Sequence, residues 1–168
     1  TPIAVIAGTG RGANLGILYR GGDVVETAAG VNTVIFDKTG TITYGKLKTA
    51  AVIPMEGVSE RDVLSYCATA EYGSEHPIAE AVLNRVQEDN IEAARPDSTQ
   101  SVPGRGIIAA LGRKKIVAGT MALMELEKIS IPENADTKVP EGCTAIYVSV
   151  DRKYLGMIAL SDTIRPDA

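Results

Sequence analysis

The stretch Phe36-Asp37-Lys38-Thr39-Gly40-Thr41-Ile42-Thr43 sets one carboxylate, one ammonium, three hydroxyls and a glycine within the seven residues that follow Phe36. Phosphoryl transfer asks for that set. A carboxylate can attack the terminal phosphorus of a nucleotide and become an acyl phosphate. Ammonium, hydroxyl and backbone donors then offset charge on the equatorial oxygens, and a Mg²⁺ bridges nucleophile and phosphate. Gly40 lets the loop turn closely around a phosphate. The tetrapeptide Asp-Lys-Thr-Gly alone is equally a good β-turn, because Asp, Thr and Gly favour turns for local hydrogen-bonding and backbone reasons.

A second group of residues suits a flat, polar-edged ligand. His76 is the single histidine of the chain, and Pro77 directly after it makes His76 the expected N-cap of a helix. There an imidazole can donate and accept one hydrogen bond each and stack on a ring such as adenine. A capping or surface histidine is the plain alternative. Gly104-Arg105-Gly106 is a Gly-x-Gly turn, which on its own denotes no more than a tight loop between strands.

These residues need elements to hold them. Val31 to Phe36 is a short, mostly β-branched run bounded by Gly30, which predicts a buried strand with Asp37 at its C-terminal end, the edge where ligands bind in open parallel sheets. Ahead of it, the Gly- and Ala-rich stretch 3–26 reads as a loosely packed connector or helix end. Strands are expected at 47–53, 106–111, 115–118, 145–150 and 154–160, with hairpin turns at 112–114 and 151–153. Ser59-Glu60-Arg61-Asp62 is a capping signature for a helix over about 60–72, and Pro77 opens a second helix whose Ile78, Val82 and Val86 share one face.

Over the eight contiguous positions 36–43 the sequence resembles the P-type ATPases, whose signature is this Asp-Lys-Thr-Gly-Thr run with a phosphorylated Asp. The resemblance implies that Asp37 is the phosphoryl acceptor, with Lys38 and Thr39 assisting. It implies a Mg²⁺ held partly by Asp37 and the Thr39 carbonyl and completed by a carboxylate from a later segment. Phosphatases of similar fold carry a second Asp two positions after the nucleophile to activate water. Thr39 stands there, so the acyl phosphate would persist long enough to drive a conformational change.

Ser74-Glu75-His76-Pro77 resembles the nucleotide-binding domain of the heavy-metal branch, in which the His contacts adenine and a Glu five residues earlier, here Glu71, takes part. Gly104 and Gly106 match the branch's Gly-x-Gly, and Gly119 matches its Gly-Asn element. Thr120 and Met121 depart from the pattern there, which loses an amide and a possible charge near the phosphates. The implied fold is α/β: an incomplete haloacid-dehalogenase-like, Rossmann-like phosphorylation domain with an inserted α+β nucleotide-binding domain, an antiparallel sheet flanked by helices. The implied domains are 1–45 for the first part of the phosphorylation domain, 46–157 for the nucleotide-binding domain and 158–168 for the return. The chain would be a soluble piece of a longer protein on the cytosolic face of a membrane. ATP and Mg²⁺ are its expected ligands, and a heavy-metal ion, copper favoured, the cargo of the absent membrane domain.

Composition narrows the field. A formal net charge of −4 gives no basic face for a nucleic-acid backbone. Cys67 and Cys143 stand far apart without companion histidines, so neither a zinc site nor a disulfide framework is expected. No apolar run reaches the roughly 18 residues of a membrane span, and no secretory leader is visible. Two other functions fit: a soluble phosphohydrolase of the same phospho-aspartyl superfamily, against which Thr39 speaks, and a noncatalytic nucleotide-binding module.

Overall fold

Much of the stretch 3–26, expected as a loosely packed connector or helix end, lies in two helices. The computed structural model describes residues 2–168, apart from the side chains of Pro2, Lys38, Thr39 and Asp136. Helix α1 spans Pro2–Asn14 and α2 spans Gly22–Ala28. Three glycines inside α1 each cost about 0.5–1 kcal/mol relative to alanine. The chain divides into two units, the first ending at Asp37 and the second running from Lys38 to Ala168.

The expected strand at 31–36 does not form. Residues 31–37 carry no regular secondary structure, and Ile35 and Phe36 are 92% and 65% exposed. A β-branched run becomes a strand only when a neighbour supplies ladder hydrogen bonds. Among the described residues every ladder is antiparallel and lies within the second unit. Asp37 therefore ends an irregular segment in this structure and not a sheet strand.

The second unit is built on a six-stranded antiparallel sheet. Its strands are β1 (Thr43–Pro54), β2 (Ser98–Val102), β3 (Gly106–Leu111), β4 (Lys114–Gly119), β5 (Thr144–Val150) and β6 (Lys153–Ile164). Their order across the sheet is β1-β6-β5-β4-β3-β2. Alternation decides the faces. Ile107, Ala109, Ile116, Ala118, Ile146 and Val148 point to one side, where α3 (Glu60–Ala70) and α4 (Pro77–Glu88) cover them with Val63, Leu64, Cys67 and Val82. Val117, Tyr147 and Met157 point to the other, under α5 (Met121–Leu126) and the segment around Ile129 and Ala135. Burying each such Leu, Val or Ile contributes about 1.5–3 kcal/mol.

Helix starts follow local chemistry. Ser59 caps α3, its hydroxyl accepting from Asp62 N at 3.1 Å and donating to Asp62 Oδ2 at 2.6 Å. His76 caps α4 with Pro77 in the first turn. Cys67 is buried, and burial with Glu71 nearby pushes its thiol pKa up. Both cysteines are free. Strand β1 pairs with β6 from Thr43↔Ile164 to Pro54↔Gly156, with register shifts between Thr43 and Leu47 and between Thr49 and Ala51. Among the described residues no helix is long and apolar enough to cross a membrane.

Candidate functional site

One cavity of about 490 Å³ collects the expected nucleotide-site residues: Glu71, His76, Gly104, Gly106 and Gly119 all line it. One wall is the α3–α4 connection. There Ser74 N donates to Glu71 O at 3.0 Å and His76 N donates to Ser74 Oγ at 3.3 Å. Ile78 N then donates to His76 Nδ1 at 3.2 Å. With Nδ1 accepting from the helix, the imidazole proton sits on Nε2, leaving that N–H as a donor.

Glu71 is 7% exposed at the end of α3. Burial pushes its carboxyl pKa up, against a hydrogen bond with Ser74 and the nearby His76, which pull it down. Ile78, Ile107 and Ile146 add apolar lining from α4, β3 and β5, as a ring-shaped ligand needs.

The opposing wall joins the β2–β3 turn to the β4–α5 junction. Arg105 N donates to Val102 O at 2.9 Å, and Thr120 N donates to Arg105 O at 2.7 Å. Here the glycines divide in role. Gly104 has φ +69° and open space where a Cβ would stand, so its backbone is free to face a ligand. Gly106 (φ +141°) pairs with Gly119 across β3 and β4, and a Cβ on Gly106 would lie 2.5 Å from Gly119 Cα. A Cβ on Gly119 would lie 2.8 Å from Leu123 Cδ2. These two are glycines because strands and α5 pack through them, a constraint that a Gly-x-Gly reading assigns to the ligand.

Sequence reasoning gave Arg105 no role and took Thr120 only as a departure from the family pattern; both line the same cavity. Arg105 stands between the two glycines already singled out, and that position was its available signal. Thr120 Oγ1 is buried and, among the described residues, without a hydrogen-bond partner.

The phosphoryl-transfer motif lies at the start of the second unit, where Lys38–Ile42 forms a single π-helical turn. The side chains of Lys38 and Thr39 lie outside the described residues. Asp37, last residue of the first unit, is exposed. The turn is fastened by the far end of β6. Thr43 Oγ1 donates to Asp162 Oδ2, and Lys46 N donates to Asp162 Oδ1 at 3.1 Å. Arg165 donates from Nε to Thr43 O at 3.2 Å and from Nη2 to Gly40 O at 3.4 Å, with its guanidinium 5.0 Å from the Tyr44 ring centroid. Among the described residues no three His, Cys, Asp or Glu side chains cluster as a metal site.

Residues 31–168 match the family model described as haloacid dehalogenase-like hydrolase. The chain is 38% identical over 168 residues to the copper-exporting P-type ATPase of Bacillus subtilis (strain 168), covering 98% of this chain and 21% of that protein. It is also 38% identical over 172 residues to the probable copper-exporting P-type ATPase of Archaeoglobus fulgidus, covering 100% of this chain and 21% of that one. Among solved structures it resembles a zinc-transporting PIB-type ATPase in the E2.Pi state, with a TM-score of 0.69 and 31% identity over 99% of this chain and 27% of that chain. The chain thus spans about a fifth of the length of the curated relatives it matches. It belongs to the haloacid dehalogenase-like hydrolase family and is a homologue of the P-type ATPases over its whole length.

Proposed function

We propose that this chain is the ATP-binding and aspartyl-phosphorylation portion of a heavy-metal-transporting P-type ATPase, with copper as the favoured cargo. The observation that carries the reading is the convergence of Glu71, His76, Gly104 and Arg105 on one cavity with an apolar lining. The names of relatives 38% identical favour copper. Residues 46–157 serve as the nucleotide-binding domain, 1–45 and 158–168 as parts of the phosphorylation domain, and the whole lies on the cytosolic face of the membrane.

Adenine occupies the cavity, stacked on His76 and hydrogen-bonded by Glu71. The Asp37 carboxylate attacks the terminal phosphorus, an Asp37 oxygen–phosphorus bond forms, and the bond to the ADP oxygen breaks. Lys38 and the Thr39 hydroxyl stabilise charge on the transferred group. The Asp37 carboxylate and the Thr39 carbonyl are hard oxygen donors suited to Mg²⁺, which would supply charge neutralisation when bound. Gly40, held by Arg165, keeps the loop in place around the phosphate.

The test separates binding from chemistry. His76→Ala is expected to weaken ATP binding by about 1 kcal/mol or more, the scale of a lost hydrogen bond with its stacking contact. His76→Asn, which preserves the α4 cap, should weaken it similarly. Calorimetry showing unchanged affinity in both variants refutes the adenine site. For the nucleophile, terminally labelled ATP with Mg²⁺ should give hydroxylamine-sensitive label that Asp37→Asn abolishes. This should be read in a protein extended through the remaining phosphorylation domain, and label surviving in Asp37→Asn would assign the nucleophile elsewhere.

A further inference from the structure

The geometry points to Arg105 as the residue that makes this cavity prefer a nucleoside polyphosphate to a nucleoside, an inference that rests on the adenine-site reading above. Among the residues lining the cavity Arg105 is the single Lys or Arg and Glu71 the single Asp or Glu. It is exposed, and among the described residues it has neither an ion-pair nor a side-chain hydrogen-bond partner. A guanidinium left without a carboxylate at the rim of a polar-and-apolar cavity retains its full capacity for a phosphate.

Its backbone is fixed where its side chain is not. Val102 O and Thr120 N hold Arg105 N and O at 2.9 and 2.7 Å, and the Gly106–Gly119 packing locks the turn to β4. Binding therefore orders one side chain and not a loop, which keeps the entropic cost low. Gly104 before it is open, so a phosphate can approach the turn's backbone without meeting a Cβ. Thr120 Oγ1, buried and without a hydrogen-bond partner among the described residues, belongs to the same wall.

The experiment titrates the 168-residue chain with ATP, ADP, AMP and adenosine by NMR chemical shifts, which read weak binding. Wild type is compared with Arg105→Gln and Arg105→Lys at low and high salt. Arg105→Gln should weaken ATP about tenfold, the scale of one charge-assisted hydrogen-bonded contact. Adenosine should be unchanged, and the salt dependence of ATP binding should flatten. Arg105→Lys should recover part of the loss, because charge remains and the planar fork does not. An ATP-to-adenosine preference that is the same in wild type and Arg105→Gln overturns the assignment while leaving the adenine site standing. Wild type that shifts at none of these residues with any adenine ligand overturns both.

Discussion

At the scale of single residues, Glu71 sets the chemistry of the cavity more than its neighbours do. Its carboxyl is shifted upward because burial penalises the charged form, so the folded state holds the proton more tightly than the unfolded chain. The stabilising contribution is then fully present below the ordinary glutamate value. It is lost as pH rises through that value to the raised folded one. Glu71→Gln removes the titration and keeps the shape. Denaturant unfolding at pH 5 and pH 8 should show the variant gaining on wild type as pH rises; a constant difference between the two pH values would mean that Glu71 is not shifted. His76 was legible as a cap because proline follows it. Glu71 was not legible from its own surroundings, because an acidic residue at a helix end reads as solvated until the fold buries it.

Among elements, the pairing of β1 with β6 brings Asp162 and Arg165 to the turn at Lys38–Ile42, across more than a hundred residues of sequence. Asp162 accepts from the Thr43 hydroxyl and from Lys46 N, so its two oxygens tie down the first residues of β1, directly after the turn at Lys38–Ile42. Asp162→Ala deletes both bonds, at a cost of about 1–2 kcal/mol. The loss should appear as a lower denaturant midpoint with unchanged slope and as faster hydrogen exchange at Lys46. Protection at Lys46 equal to wild type would show that the strand pair alone fixes the loop. The helices α3 and α4 were readable from caps and four-residue spacing. Strand β2, Ser98-Thr-Gln-Ser-Val, was not, because an exposed edge strand has no apolar alternation. Neither was α5, whose six residues are too few to show a period.

For the molecule as a whole, the large apolar clusters lie in the second unit, whereas α2 buries no residue and Ile3, Ile6 and Phe36 stay mostly exposed. Residues 38–168 alone should therefore melt cooperatively with a midpoint within a few degrees of the 168-residue chain, since removing exposed surface changes stability little. A fall of more than about 10 °C, several kcal/mol for a domain this size, would show that the first unit carries part of the core. The helix caps and the hairpins were determined by sequence alone, because each rests on residues within a few positions of one another. The strand expected at 31–36 was decided otherwise, since β-branched residues supply propensity but a ladder requires a partner. The same holds for the cavity. Gly106 and Gly119 reveal only in three dimensions that they admit each other, and Arg105 becomes a candidate ligand contact only once the β2–β3 turn is set against the α3–α4 connection. Convergence of residues distant in sequence depends on strand order and packing, which local patterning does not encode.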